Sequence, residues 1–274
     1  MGTIISLTTD FGWRDAYLAA IKGTILGINP EVTLVDICHT IEAQNILETA
    51  FVLKTACDYF PPDTIHLVVV DPGVGTERRA IILRTPTACF VAPDNGVLSY
   101  VIPNHLCRPP LDNTAKQVAL EAGFKAVNIT NPQFWQTPPS TTFHGRDIFA
   151  PVAAHLSLGI PLTEFGEEIS SVTLLPLPQP YREADGTLAG QVLYIDSFGN
   201  LITSIKSGDL PGSGALIKVV IGNHVIQGLN RTYATGEGLI ALIGSSGYLE
   251  IALPGGSAGK FTGSIAGSRV KVRW

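Results

Sequence analysis

The sequence contains few charged and few sulfur-containing residues, and it has no hydrophobic run long enough to cross a membrane. Of its 274 residues, 15% are charged, four are cysteine and one is methionine, whereas 45% are hydrophobic. Intrinsic disorder needs the opposite balance, so this composition predicts a packed globular protein. No apolar run approaches the roughly 20 residues that span a bilayer, and no basic region precedes the first apolar stretch. Neither a membrane protein nor a secreted protein is therefore expected.

Basic residues are too few for a protein that binds nucleic acid by neutralising phosphates. The 18 lysines and arginines are outnumbered by 23 acidic residues, which gives a net charge of −5. The histidines form no H-E-x-x-H motif and the cysteines no C-x-x-C pair, so no metal site is expected. Apolar residues surround Cys38, Cys57, Cys89 and Cys107, which is typical of reduced core residues in a cytosolic protein.

Strand-like and helix-like segments alternate over residues 1–175. Runs such as TIISLTT and TIHLVVV are β-branched and apolar, as in strands that are buried on both faces. The alternation predicts an α/β N-terminal domain that forms a three-layer α/β/α sandwich. The predicted strands are residues 3–9, 32–37, 64–70, 80–84 and 89–92, and the predicted helices are residues 15–28, 46–59 and 149–158.

The composition changes near Leu174, and residues 176–188 contain three prolines, a glycine and several charges, which is typical of an inter-domain linker. Only strand patterns follow, separated by Gly and Asn turns at hairpin spacing. Residues 189–274 are therefore predicted to form a small all-β domain, barrel-like or a sandwich. Its predicted strands are residues 191–195, 201–205, 216–221, 224–227, 239–243, 248–252 and 269–274.

Two aspartates follow predicted strands of the first domain, where α/β sheets bind their ligands. Asp10 ends the first strand and Asp71 ends the most apolar one. A carboxylate at such a position can accept hydrogen bonds from the two hydroxyls of a ribose. The structural alternative is that each aspartate caps a helix or stabilises a turn.

A glycine-rich turn and a loop histidine are further candidates. Arg78 lies seven residues after Asp71 beyond the turn, but the adjacent Arg79 could point inward instead, because strand alternation allows only one of them to do so. His144 precedes Gly145 at the start of a predicted helix, where it can act as a base or orient a ligand. A surface arginine and a structural histidine are the alternatives.

In the second domain, two strands end in polar turns within YIDSFGNLITSI and IGSSGYLEIA. These segments and the loop before the second of them supply donors, acceptors and aromatic faces that could bind a nucleoside, although ordinary hairpin turns have the same composition. The candidates are Asp196, Phe198, Asn200, Tyr233, Ser245 and Ser246.

Six motifs along the chain resemble those of one family. In order they are TTDFGWRDAYLAAIKG, VVVDPGVGTERRA, APDNGVL, TFHGRDIFAP, IDSFGNLITSI and GSSGYLEIA. This series resembles the S-adenosyl-L-methionine (SAM) hydroxide adenosyltransferases, which are relatives of the SAM-dependent chlorinases and fluorinases. The resemblance covers almost the whole chain.

The resemblance implies a two-domain subunit that forms a homotrimer, with each ligand between domains of neighbouring subunits, while the cysteines favour a cytoplasmic location. It implies hydrolysis of SAM to adenosine and L-methionine without a metal or organic cofactor. The resemblance also assigns roles to the candidate residues. Asp71, Arg78 and His144 would position and activate water, with His144 accepting or relaying the proton, and Phe143 would pack near the reaction centre. Asp10 would bind the ribose, Asp196 and Ser245 would contact the methionine group, and the adenine pocket would consist of Phe198, Asn200 and Tyr233.

Some positions depart from the halogenases of this group. They have tyrosine where Asp71 stands, and the fluorinase has serine where Gly145 stands and an extra loop that this chain lacks. A carboxylate at position 71 repels a halide and suits an oriented water. At Pro254 relatives often have asparagine or arginine, so no role is assigned there. The alternatives are a SAM-dependent chlorinase and a non-catalytic protein that binds an adenosyl ligand.

Overall fold

The computed structural model describes residues 2–102, 114–212, 216–235 and 237–274. The chain divides into two units after Leu177, two residues beyond the predicted end of the first domain. Part of the predicted linker, Tyr181–Arg182, is a short strand that pairs with residues 188–189 of the second unit. The role of residues 176–188 as a linker stays a prediction.

The first unit contains a seven-stranded sheet with helices on both faces. The sheet order is β2-β1-β3-β5-β4-β7-β8, and β6 and β9 form a separate pair. The strands are β1 (Ile4–Thr9), β2 (Thr33–Cys38), β3 (Thr64–Val69), β4 (Ala80–Arg84), β5 (Ala88–Pro93), β6 (Lys116–Ala119), β7 (Lys125–Ile129), β8 (Gly166–Ile169) and β9 (Ser171–Leu174), and the helices are α1 (Tyr17–Ile28), α2 (Ile46–Cys57) and α3 (Ala150–Ser157).

Alternating burial along the strands explains the three layers. Leu67 of β3 packs with α1 and α3 in one apolar cluster, and the next residue, Val68, packs with Leu53 of α2 in another. Successive strand residues point to opposite faces of the sheet, so a strand with apolar residues on both faces must be packed against other elements on both sides. The predicted sandwich is confirmed, although β6 to β9 were not predicted.

The parallel register of β1, β2 and β3 places their carboxyl ends at one edge of the sheet. Thr9 pairs with Val69, and Thr8 pairs with Cys38. Asp10 therefore leaves the sheet beside the segment that leads to Asp71. This edge carries the first group of candidate residues.

The second unit is the predicted barrel-like β domain. The strand order is β14-β13-β17-β11-β12-β16-β15, with β10 beside β11, and the two ends of this order contact each other. All seven predicted strands are present, whereas β10 and a short helix were not predicted. The elements are β10 (Tyr181–Arg182), β11 (Leu188–Ile195), β12 (Leu201–Lys206), β13 (Lys218–Ile221), β14 (His224–Gln227), β15 (Ile240–Ile243), β16 (Tyr248–Ala252), β17 (Arg269–Arg273) and α4 (Ala258–Thr262).

The cysteines are less uniform than the sequence predicts. Cys38, Cys57 and Cys89 are free thiols. Cys89 is buried in the core and the partly buried Cys57 packs against the cluster of Val68 and Leu53, whereas Cys38 is partly exposed, so the predicted core location is wrong for Cys38. Cys107 lies outside the described residues. Among the described helices, none combines the length and the apolarity that crossing a membrane requires.

Candidate functional site

A carboxylate, a guanidinium and an imidazole from three segments meet beyond the carboxyl end of β3. Nε of Arg78 donates to both carboxylate oxygens of Asp71 at 2.9 Å, and Nη2 donates to Oδ2 at 2.5 Å. Nη2 also lies 2.8 Å from Nδ1 of His144. The Arg78 and Asp71 side chains are only 10% and 6% exposed. The structure thus brings these three predicted residues into direct contact.

A glycine in the turn after Asp71 permits this contact. Gly75 has φ +77°, and a Cβ on it would lie 2.5 Å from the carbonyl oxygen of Thr141. An L side chain would therefore suffer both backbone strain and a clash. Gly75 allows the turn that carries Arg78 to pack closely against the segment that leads to His144.

His144 immediately precedes a π-helical turn, Gly145–Phe149, which continues into α3. Such turns occur often at functional sites. Burial and the adjacent Arg78 charge lower the pKa of His144 below its ordinary value. A guanidinium can only donate, so Nδ1 of the neutral ring accepts from Arg78 and the ring proton is on Nε2. In this arrangement His144 is a hydrogen-bond donor at Nε2, not the predicted proton acceptor.

Asp10 lines the same cavity as Asp71 and His144. The cavity has a volume of about 320 Å³, and Asp10, Asp71, Phe143 and His144 contribute to its lining. This volume is within the range of small-molecule sites. Oδ2 of Asp10 accepts a 2.9 Å hydrogen bond from the backbone N–H of Gln44, a residue of the segment after β2.

Three aromatic rings form one wall of the cavity. The ring centroids of Phe11, Tyr17 and Phe143 lie 5.1 to 5.8 Å apart in tilted or edge-on contacts. The Arg146 guanidinium lies 5.1 Å from the centroid of Phe143. Phe143 was predicted at the site, whereas Phe11 and Tyr17 were not, because an aromatic residue near a helix start is usually a packing residue.

Arg79 points away from this cavity. Its Nε and Nη2 donate to Oδ2 of Asp94 at 2.8 and 2.5 Å, and Nη2 also donates to the carbonyl of Ser171 at 2.9 Å. The two adjacent arginines therefore form separate ion pairs. Arg78, not Arg79, contacts Asp71.

A larger cavity, of about 490 Å³, lies at the amino end of β3. Phe60, His66 and Phe90 contribute to its lining, and none of the predicted site residues does. The larger of these two cavities is therefore not the one that the predicted site residues line. Within the described part of the chain, no three His, Cys, Asp or Glu side chains are grouped so that they could hold a metal ion.

In the second unit, Asp196 is bound within its own turn. Its Oδ1 accepts from the backbone N–H groups of Phe198 and Asn200 at 3.0 and 2.8 Å, and Oδ2 accepts from Nδ2 of Asn200 at 2.9 Å. This is the structural role that an aspartate commonly has in a turn. The same turn exposes Phe198, which is 78% accessible.

Tyr233 is anchored by a buried glutamate that the sequence did not indicate. Its hydroxyl donates to Oε1 of Glu250 at 2.6 Å. Burial, followed by this bond to a carboxylate, raises the pKa of Tyr233 to about 12. Ser245 and Ser246 are exposed at the turn between β15 and β16.

The two units match two family models. Residues 5–166 match the SAM hydroxide adenosyltransferase N-terminal domain, and residues 190–271 match the C-terminal domain. The chain belongs to the SAM hydroxide adenosyltransferase family.

Similar proteins extend over the full chain. An (R)-S-adenosyl-L-methionine hydrolase of Salinispora tropica is 37% identical over 98% of this chain and 97% of its own. A fluorinase of Nocardia brasiliensis is 28% identical over 98% and 96%. An uncharacterized conserved protein from Thermotoga maritima has a crystal structure with a TM-score of 0.85 and 34% identity, over 99% of this chain and 100% of its own. The hydrolase is therefore more similar than this fluorinase.

Tight packing surrounds Gly145, the residue that follows His144. A Cβ on Gly145 would lie 3.2 to 3.3 Å from side-chain atoms of Val69, Ile21 and Phe143. These contacts are tighter than usual, so a serine here needs its neighbours to move. The structure thus favours glycine at position 145.

Proposed function

We propose that this chain hydrolyses SAM to adenosine and L-methionine. The observation that supports it best is that Arg78 contacts both Asp71 and His144, and that these two residues line one cavity of the first unit together with Asp10. The similarity to SAM hydrolases over the full chain gives the substrate. In the reaction, the oxygen of water forms a bond to C5′ while the C5′–sulfur bond breaks, and the bonding electron pair stays on sulfur as a neutral thioether.

The proposed role of Asp10 is to accept hydrogen bonds from the ribose hydroxyls and so place C5′ near the cluster. Phe143 would lie beside the reacting carbon. In the second unit, Asp196 and Ser245 would contact the amino-acid group, with Ser246 beside them, and the adenine pocket would consist of Phe198, Asn200 and Tyr233. Holding reactants in a near-attack arrangement contributes roughly 7–11 kcal/mol.

The cluster would orient the water and receive its proton. With Nδ1 bound to Arg78, the N–H at Nε2 of His144 can donate to the water oxygen. Asp71 is then the member of the three that has lone pairs able to take the proton, which passes on to solvent. The leaving group departs from a cation as a neutral molecule, so it needs no general acid, and the proposed reaction needs no cofactor.

The proposed assembly is a homotrimer in which each site is completed at a subunit interface. Phe198 is 78% exposed and Tyr233 is 46% exposed, although both are proposed to contact adenine. Aromatic side chains with this accessibility can be covered by another subunit. The free thiols of Cys38, Cys57 and Cys89 support the cytoplasm as the proposed location.

Chromatography of the purified protein with SAM in ¹⁸O-water tests the function. We expect adenosine that carries ¹⁸O at the 5′ position, together with methionine. A parallel reaction with chloride tests the chlorinase alternative, for which 5′-chloro-5′-deoxyadenosine is the diagnostic product. Unchanged SAM after prolonged incubation would instead support a protein that only binds the ligand.

A further inference from the structure

The turn that carries Asp10 is held by a buried histidine that the proposed reaction does not use. Nδ1 of His39 lies 2.9 Å from Oγ1 of Thr9, and this oxygen accepts a 3.3 Å bond from the backbone N–H of Phe11. The carbonyl oxygen of His39 accepts from the backbone N–H of Gly12 at 2.6 Å. His39 therefore fixes the chain on both sides of Asp10.

The far side of the His39 ring is anchored as well. Nε2 lies 3.0 Å from Oδ1 of Asp36, whose Oδ2 accepts a 2.7 Å bond from Nζ of Lys22. Burial acts to raise the pKa of Asp36, but the hydrogen bonds from Lys22 and His39 outweigh it and lower the pKa. The ionised carboxylate of Asp36 accepts from Nε2, which leaves Nδ1 as the ring nitrogen that contacts Oγ1 of Thr9. Each donor in this chain of bonds has an acceptor.

The segment that follows His39 also holds the carboxylate of Asp10. The backbone N–H of Gln44 donates to its Oδ2 at 2.9 Å. Gln44 has φ +67°, in the left-handed region that residues other than glycine rarely adopt. Strained backbone of this kind persists where the surrounding structure determines it and occurs often at binding sites. Residues 39–44 thus fix both the turn and the carboxylate.

We propose that His39 is a positioning residue for Asp10, acting through Thr9 to present the carboxylate to the ribose diol. This inference rests on the proposed function, in which Asp10 accepts hydrogen bonds from the ribose hydroxyls. His39 is not among the residues that line the cavity. Its loss should therefore weaken the recognition of the diol alone and leave the rest of the nucleoside unaffected.

Two adjacent threonines of β1 provide matched variants. Thr9 and Thr8 are both fully buried. Oγ1 of Thr9 bonds to His39, whereas Oγ1 of Thr8 has no hydrogen-bond partner within the described part of the chain. Thr9→Val and Thr8→Val remove the same atom from neighbouring positions of one strand, so Thr8→Val controls for the loss of a buried hydroxyl.

The test measures the affinities of the full-length protein for adenosine and 2′,3′-dideoxyadenosine by isothermal titration calorimetry. Hydrogen bonds to a charged group predict that the wild type prefers adenosine by at least about tenfold. We expect Thr9→Val and His39→Leu to reduce this preference by about three- to tenfold through weaker adenosine binding, with dideoxyadenosine binding unchanged. Thr8→Val should keep the wild-type preference.

The outcomes separate the two claims. Equal losses for both nucleosides, or no loss in Thr9→Val, would show that His39 does not position Asp10, while SAM hydrolysis by the wild type would still support the proposed function. A wild type that binds both nucleosides equally would overturn the diol-binding role of Asp10 and this inference with it. If His39→Leu does not fold, Thr9→Val still tests the inference, because a variant that lacks Oγ1 of Thr9 yet keeps the wild-type preference would show that the contact with His39 does not position Asp10.

Discussion

Replacing Asp71 with asparagine should separate catalysis from folding more cleanly than removing the whole cluster. The substitution keeps the shape of the side chain but removes its charge and one of the two acceptors that Arg78 contacts. The amide cannot take a proton from water at neutral pH. Loss of a proton acceptor typically lowers turnover by about 10²–10⁴-fold.

The same change has a stability cost that must be distinguished from the catalytic one. The Asp71–Arg78 pair is almost fully buried, and removing one partner of a buried pair costs about 3–5 kcal/mol. For units of this size we expect the unfolding midpoint to fall by about 10 °C. Turnover is therefore measured at saturating SAM and at a temperature where circular dichroism shows the variant to be folded.

Asp94 offers a matched control. It forms the second arginine ion pair, with Arg79, and its side chain is 2% exposed. Asp94→Asn should destabilise the protein by a similar amount and leave turnover within about threefold of wild type, because the pair lies outside the cavity. If Asp71→Asn also stayed within threefold while folded, Asp71 would not be the proton acceptor. If Asp94→Asn lost turnover equally, stability alone would explain both results.

Three further perturbations test other parts of the structure. Protonation of His144 at Nδ1 would break its contact with Arg78. Because the pKa of His144 is lowered, kcat/KM should stay flat near neutral pH and fall only as the pH drops through this lowered pKa. A midpoint at or above pH 6.5 in the pH–rate profile would contradict this. Gly75→Ala should lower the free energy of unfolding by about 1–3 kcal/mol and lower turnover as well, because the new Cβ meets the carbonyl oxygen of Thr141 and displaces the turn. Urea unfolding measures the first effect and initial rates measure the second. Wild-type values in both assays would refute the steric argument. Burial lowers the pKa of His66 from 6.5 to about 4. The unfolded chain therefore binds this proton first, and about 3 kcal/mol of stability should disappear as the pH falls from 6.5 to 4; His66→Gln should reduce this dependence in urea titrations at several pH values, and an unchanged dependence would exclude His66 as its source.

The parts of the fold that the sequence predicted are those with a strong local pattern. β1 and β3 are rich in β-branched and apolar residues and are buried at almost every position, which requires a sheet covered on both faces, and the aspartates that follow them lie at its carboxyl edge as expected. The strands β6 to β9 are short and partly polar, so their pairing depends on tertiary contacts that no local pattern encodes.

The site residues that the sequence predicted are those whose side-chain chemistry is distinctive. The features that it missed depend on how residues distant in the sequence are placed in space. Strand alternation alone cannot distinguish Arg78 from Arg79, whereas the family resemblance selected Arg78 and the ion-pair partners, Asp71 for Arg78 and Asp94 for Arg79, separate the two in the structure. Glu250 reads as one polar residue in an apolar strand, and its contact with Tyr233 spans 17 positions. The tautomer of His144 follows from which nitrogen meets Arg78, a detail that composition does not contain.

The amide of Gln44 has a consequence for how this cavity can evolve. Every residue type except proline has a backbone N–H, so any of the other nineteen could donate the same backbone hydrogen bond to Asp10. Glycine would even relieve the unfavourable torsion. The Gln44 side chain meanwhile lines the cavity. Mutation at this site can therefore reshape the cavity for a new ligand while the anchoring of the neighbouring carboxylate is inherited unchanged.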